Sequence, residues 1–324
     1  MAVKNDILAY LEQHRNGFCS GELLAKELGV SRAAVWKAVE SLKKSGYEIE
    51  AVTHKGYRIA ANTDLLSAES IAPFLGEHCR KLKIQTFSSL ESTNLTAKQL
   101  ALAGAEEGTV ILAEEQTLGR GRLGRSFFSP AGAGIYLSVI LRPDLKASEA
   151  VLITTAAAVA VCRAVKEIAG AEAQIKWVND IYLNGRKLCG ILTEALTGFE
   201  SGSVECVILG IGLNFSQPEG GFPPELQKQA GCLFAEKPDG ITRSRLAGAI
   251  LNHVYALCNS MENRTFLEEY RQRSLILGRE ITLYRSGKKQ SAVACEVDHD
   301  GGLLVRYPDN SMETLHSGEV SILL

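Results

Sequence analysis

Apolar residues recur along this chain with two different periods, and the change of period marks its organisation. Ile7, Leu8 and Leu11 fall on one face of a helix. Ser20 then reads as the cap of a short helix from Glu22 to Leu28, stopped by Gly29. Ser31 caps a second helix running to about Ser45, with Ala34, Val35, Ala38, Val39 and Leu42 as its apolar face. Two short strand-like runs follow, Tyr47 to Ile49 and Gly56 to Ile59, joined by a turn at Thr53-His54-Lys55-Gly56. Helix, tight glycine turn, helix and a basic-tipped hairpin form the pattern of a winged helix-turn-helix.

The next stretch mixes the two periods. Ile84 to Phe87, Thr109 to Ala113, Ile135 to Leu141 and Val204 to Ile211 read as strands. Helices are predicted near Asn94 to Ala103 and over 149–169. The most apolar run, Ala150 to Cys162, is too short to span a bilayer and reads as a buried alanine-rich helix capped by Ser148 and stopped near Gly170. From about Gly278 short strands return: Ile281 to Tyr284, Ser291 to Val297, Gly302 to Tyr307, Met312 to His316 and Val320 to Leu323. Turns at Ser286-Gly287, Asp300-Gly301 and Asp309-Asn310 separate them, the signature of a small barrel. The expected units are 1–62, 63–276 and 277–324, with Asn62-Thr63-Asp64 as the first linker and a multidomain α+β fold overall.

Composition narrows this picture. The chain has 324 residues, a net charge of −2 and 46% hydrophobic residues, enough for a sizeable core and for two or three domains. Its eight cysteines contain no C-x-x-C pair, which argues against a zinc knuckle and suits free thiols in a reducing cytosol. The N-terminus lacks the apolar core of a signal peptide, so a cytoplasmic protein with no membrane partner is expected. The second predicted helix carries Arg32, Lys37, Lys43 and Lys44 against Glu40. That local surplus, on this layout, points to DNA, with Ser31, Arg32, Lys37 and the wing residue Lys55 as candidate contacts.

Four clusters carry chemistry. Gly119-Arg120-Gly121-Arg122-Leu123-Gly124-Arg125 alternates residues without Cβ with fixed cations, which suits a loop closing over a polyanion. It also spells G-x-G-x-x-G, but no helix opens after it, as a dinucleotide fingerprint requires. In Gln174 to Glu194, Asn184-Gly185 predicts a two-residue hairpin. Leu183 then faces Arg186, Tyr182 faces Lys187, and Asp180 faces Cys189. Lys176, Asp180 and Lys187 would share one face, and Trp177, Ile181, Leu183, Leu188 and Leu192 the buried one. Two amines beside a carboxylate suit phosphate and Mg²⁺, with Asp180 as the candidate metal ligand. Ser92-Thr93-Asn94 follows a strand at a helix start. Gly210-Ile211-Gly212-Leu213-Asn214 ends an apolar strand, where glycines mark a bulge or the close approach of a ligand. Gln116 ends the strand feeding the arginine loop.

Together, in order and over essentially the whole chain, these clusters resemble the biotin–protein ligases. Ser31-Arg32-Ala33-Ala34-Val35-Trp36-Lys37 and Gly56-Tyr57 resemble the bifunctional branch, which is also the biotin operon repressor. The resemblance implies a class II synthetase-like central domain and an SH3-like C-terminal barrel. It implies that Ser92, Thr93, Asn94 and Gln116 hold biotin, that Gly119, Arg120, Gly121 and Arg122 order over it, and that Gly190, Gly210 and Gly212 admit it against bare backbone. Arg122 and Lys187 would be catalytic, with Lys187 meeting both the biotin carboxylate and the α-phosphate. Arg122, Arg125, Phe127, Lys176, Asn179, Asp180, Lys187 and Asn214 would serve ATP and Mg²⁺. The implied reaction forms biotinyl-5'-AMP and transfers biotin to a lysine of a biotin carboxyl carrier protein. The same adenylate would act as corepressor for a homodimer on the operator DNA of biotin genes, with Leu123 at the dimer interface. Val178 stands where the family has Pro, Phe127 where many members have Trp, and Leu323 where one branch has Arg. The alternatives are a lipoate–protein ligase, a repressor without ligation, and a ligase whose N-terminal domain does not regulate transcription.

Overall fold

The computed structural model describes residues 2–60, 63–143, 149–197, 204–285 and 288–321. Ser148, Asn62, the Ser286-Gly287 turn and Leu323 therefore lie outside the described residues.

The N-terminal elements are α1 (Ala2–Gln13), α2 (Gly21–Glu27), α3 (Arg32–Lys44), β1 (Ile49–Val52) and β2 (Gly56–Ile59). Both predicted caps form: Ser20 accepts from Leu23 N and Ser31 from Ala34 N, each satisfying a helix donor with no partner of its own. Gly29, at φ 64°, ends α2. Ile7, Leu8, Leu11, Leu24, Val35, Val39 and Leu42 are buried together in a separate small core. The first strand starts later than predicted, because Tyr47 closes the end of α3 instead: its amide donates to Leu42 O. The wing is tied to the helices by paired backbone bonds between Cys19 and Tyr57.

The central sheet has seven strands in the order β3-β4-β5-β9-β8-β7-β6: β3 (Lys83–Phe87), β4 (Thr109–Ala113), β5 (Gly134–Leu141), β6 (Gln174–Lys176), β7 (Asp180–Leu183), β8 (Arg186–Thr197) and β9 (Val204–Asn214). Only β3 and β4 pair in parallel. Every residue of β5 is buried, so both faces of the sheet are covered at its centre. On one face α5 (Thr93–Leu102) packs Ala97 and Ala101 against Ile111, Ile140, Cys206 and Ile208. The main core, on the other face, includes α6 (Ala150–Ala169), α7 (Arg243–Cys258) and α8 (Phe266–Gln272). The alanine-rich α6 ends at Gly170 in the left-handed region, as its pattern predicts. A short helix, α4 (Ala68–Ile71), joins this body to the N-terminal unit. Among the described residues no helix is long and apolar enough to cross a membrane.

The C-terminal strands β10 (Glu280–Arg285), β11 (Lys288–Val297), β12 (Leu303–Arg306), β13 (Met312–Leu315) and β14 (Glu319–Ser321) form an antiparallel ladder in the order β13-β12-β11-β10-β14. Ile281, Leu283, Ala294 and Val305 share the main core. Trp177 Nε1 donates to Gly301 O at 3.0 Å, fixing this sheet against the loop before β7.

One buried cation joins segments that are distant in sequence. Arg243, at the start of α7, is 2% exposed. Its Nε donates to Asp64 Oδ2 at 2.8 Å, Nη1 to Glu114 Oε2 at 2.6 Å and to Gly134 O at 3.3 Å, and Nη2 to Asp64 O. Glu114 also accepts from Leu66 N at 3.0 Å. The guanidinium therefore clasps the chain leaving the N-terminal unit, the end of β4 and the start of β5. Removing it strands two carboxylates away from water. Arg243→Met is expected to cost about 3–5 kcal/mol, the usual penalty for breaking one side of a buried pair, measured by urea unfolding. A loss below about 1 kcal/mol, the range of exposed pairs, would contradict this role.

Candidate active site

The centre of the sheet lacks side chains where the strands meet the cleft. In the β8–β9 ladder Gly190 lies opposite Gly212 and Leu192 opposite Gly210, while on β5 Ser138 lies opposite Gly210. A Cβ on Gly210 would sit 2.0 Å from Asn94 Oδ1, and one on Gly212 2.7 Å from the Phe127 ring. At Gly190 it would lie 3.4 Å from both Lys187 and Phe127. These glycines do not face empty space: Asn94 and Phe127 rest on them. The resemblance implies ligand against bare backbone, whereas here the bare backbone first admits two side chains that shape the cleft.

Asn94 and its neighbours come from the first turn of α5. Ser92 occupies the cap position but its side chain makes no capping bond. Gln116 takes that role, its Oε1 accepting from Thr93 N at 2.9 Å and from Thr93 Oγ1 at 3.1 Å, while its Nε2 donates to Ser129 Oγ at 2.9 Å. Asn94 Nδ2 donates to Glu194 Oε2 at 2.8 Å and to Leu192 O at 3.2 Å.

The arginine loop folds back on itself. Phe127 N donates to Gly119 O at 2.8 Å and Gly121 N to Arg125 O at 2.7 Å. Leu123, at its tip, has φ 57° and is 75% exposed, a left-handed conformation that is unfavourable for a branched apolar residue. Arg122 Nη1 donates to Asn179 Oδ1 at 3.2 Å, and Asn179 Nδ2 to Ile191 O at 2.8 Å. The loop is thereby joined to the hairpin opposite.

That hairpin turns at Asn184 and Gly185, both with positive φ, as the sequence predicts. Leu183 faces Arg186 and Tyr182 faces Lys187. A register shift follows, so Asp180 faces Gly190 and not Cys189. The extra residue reverses the alternation of β8 beyond it. Ile191 is buried and Leu192 lines the cleft, opposite to expectation for Leu192. Lys176, Asp180 and Lys187 still share the cleft. Lys187 Nζ lies 2.6 Å from Asp180 Oδ1, and Lys176 Nζ 5.8 Å from the centroid of the Tyr182 ring. Burial, with Asp180 nearby, pushes the Tyr182 phenol up to about 12.

The result is an open cleft. Ser92, Thr93, Asn94, Gln116, Arg120, Gly121, Arg122, Arg125, Phe127, Lys176, Asn179, Asp180, Lys187, Gly190, Gly210 and Gly212 all line it. Two candidates do not. Gly119 packs under Phe127 O and Ser129 Oγ. Asn214 anchors the following loop, Nδ2 donating to Gly231 O at 2.8 Å. That loop, without periodicity in the sequence, was not predicted to approach the site, yet the Lys187 backbone pairs with it through Gln229 O and Gly231 N. Gly318 and Val320 of the C-terminal sheet also reach the cleft. Among the described residues no group of three or more His, Cys, Asp or Glu side chains could hold a metal by itself. In the N-terminal unit, Ser31, Arg32, Lys37 and Lys55 are exposed, and so is Trp36, which the charge argument passed over.

Comparison with known proteins gives the family of the chain. Residues 86–214 match the Biotin/lipoate A/B protein ligase family, residues 3–58 an HTH domain, and residues 276–323 the Biotin protein ligase C terminal domain. The chain is 39% identical to the bifunctional ligase/repressor BirA of Bacillus subtilis over 265 residues, which is 82% of this chain and 79% of that protein. It is 28% identical to the BirA of Escherichia coli over 94% of this chain and 93% of that one. The fold is similar to the biotin protein ligase of Aquifex aeolicus in complex with biotin and ATP, with a TM-score of 0.61 and 27% identity, covering 74% of this chain and 97% of that chain.

The glycine floor gives a direct test. Gly210→Ala must displace Asn94 from Ser138, Glu194 or both. The expected loss is about 1–3 kcal/mol in urea unfolding, from buried polar groups left unpaired. An unchanged midpoint would show that Asn94 is not held there.

Proposed function

Since the chain belongs to the bifunctional ligase/repressor branch of the biotin/lipoate A/B protein ligase family, we propose that it activates biotin with ATP and transfers it to a lysine of a biotin carboxyl carrier domain, and that the adenylate-loaded protein represses biotin genes. The observation that carries the ligase reading is the convergence of Arg122, Asp180 and Lys187 on one glycine-floored cleft, with Arg122 held by Asn179 and Lys187 by Asp180.

In the first step a biotin carboxylate oxygen attacks the α-phosphorus of ATP, and pyrophosphate leaves. Negative charge spreads over the phosphoryl oxygens, so positioned cations do the catalytic work. Lys187 offers a compact charge to both reacting anions and Arg122 a fixed fork. In the second step the carrier lysine, as free amine, attacks the acyl carbon of biotinyl-5'-AMP. An amide forms and AMP departs with the bonding electron pair. Loop 119–125 folded over the cleft would keep water from the anhydride. Ser92, Thr93 and Gln116 bind the biotin ring end. Lys176, Arg125 and Phe127 line the nucleotide end. Mg²⁺ would arrive with the ATP phosphates and neutralise their charge. The donor set fits an ion held in that way, with Asp180 as one carboxylate and no protein cage.

The repressor reading rests on the N-terminal unit, where Arg32 and Lys37 project from α3 and Lys55 from the wing. One such unit reads one half-site, so the operator complex is a two-fold dimer. Exposed Leu123 is the proposed apolar contact, and ligand and dimerisation strengthen each other by linkage.

Lys187→Ala should lower biotin-dependent pyrophosphate release about 10²–10³-fold, the cost of one charge-stabilising donor. Lys187→Arg should retain part of it. Near-normal release from the alanine variant would remove Lys187 from the mechanism. For DNA, deleting residues 1–62 should abolish a gel shift on a biotin-gene promoter while pyrophosphate release stays measurable. Lys37→Ala should make the logarithmic salt dependence shallower by about 1. An adenylate-loaded wild type that shifts no such promoter would leave the ligase and sink the repressor.

A further inference from the structure

Ser138 interrupts the otherwise apolar strand β5 and is fully buried. Its hydroxyl lies 2.6 Å from Asn94 Oδ1 and 2.8 Å from Thr93 Oγ1. A carboxamide oxygen cannot donate, so the serine proton goes to Asn94. On the other side of that amide, Glu194 Oε2 and Leu192 O can only accept, and both take Nδ2 hydrogens. One donor on the oxygen side and two acceptors on the nitrogen side leave a single orientation for Asn94. The bare backbone of Gly210 opposite Ser138 supplies the space. With that proton committed, Ser138 Oγ accepts from Thr93 Oγ1, whose one proton it shares with Gln116 Oε1, while Gln116 also holds Thr93 N.

We propose that Ser138 is a positioning residue for biotin: it sets the first turn of α5, through Asn94 and Thr93, so that Ser92, Thr93 and Gln116 present fixed partners to the ring end. Ser138 is closed to solvent and acts through its neighbours. Glu194 is the counterpart that fixes the other end of the same amide. The proposal rests on the ligase reading above. A preorganised turn favours binding of substrate and transition state alike, so its loss should raise KM for biotin and leave kcat nearly unchanged.

Biotin-dependent pyrophosphate release by the full-length protein tests this. Ser138→Ala should raise KM for biotin about three- to tenfold, the value of one hydrogen bond, with KM for ATP and kcat unchanged. Ser138→Thr, which keeps the hydroxyl on a residue suited to a strand, should recover most of the loss. A wild-type KM in Ser138→Ala, or an equal rise in Ser138→Thr, overturns the proposal. No biotin-dependent release by the wild type overturns the ligase reading instead, and this proposal with it. Should Ser138→Ala fail to fold, Asn94→Asp sets two carboxylates against each other, and adding Glu194→Gln restores a donor between them. Recovery of the biotin KM in the double variant supports the relay, and no recovery overturns it.

Discussion

Bare backbone at the middle of a sheet is the constraint on which the site depends. Strands β5, β8 and β9 are paired over long stretches, and on one side buried residues of α6 and α7 share a core with them. Ordinary side chains at Gly190, Gly210 and Gly212 would close the other side completely. Their absence opens a cleft without weakening the ladder, since each glycine keeps its backbone bonds. Asn94 and Phe127 then descend onto the floor, so that side chains from α5, the arginine loop and the β7–β8 hairpin converge at one place.

The second condition is electrostatic. The whole chain is slightly acidic, at −2, yet Arg120, Arg122, Arg125, Lys176 and Lys187 all line a single concavity. Five cations against the single carboxylate of Asp180, with apolar walls behind them, concentrate a positive field that the net charge conceals. Asp180 keeps Lys187 extended toward the cleft, and Asn179 does the same for Arg122. Both anchors sit at the turn between β6 and β7, which Trp177 and Gly301 fix to the C-terminal sheet. Catalytic geometry is thus shared among three parts of the chain.

Much of this was legible in the sequence because its signals are local. The caps at Ser20 and Ser31, the Asn184-Gly185 turn and the glycine after α6 each follow from a few adjacent residues. The bulge near Leu188 was not legible, since a strict alternation carries no mark of one extra residue, and it moved Asp180 opposite Gly190 and turned Leu192 into the cleft. Arg243 with Asp64 and Glu114, and Ser138 with Asn94 and Glu194, join positions far apart in the chain. No periodicity or spacing rule links them. A serine in the middle of an apolar strand was the single available hint of the second. The loop after Asn214 left no trace because it meets Lys187 through backbone groups, Gln229 O and Gly231 N, which no side-chain pattern marks.

A cleft with these cations over a glycine floor makes and consumes an acyl-adenylate of biotin. Incubating the protein with ATP, Mg²⁺, biotin and a biotin carboxyl carrier domain, then measuring the intact mass of the carrier, tests it most directly. The expected result is a gain of one biotinyl group that requires ATP and the carrier lysine, and no gain when lipoate replaces biotin. An unmodified carrier with biotin, or a lipoylated one, would contradict it.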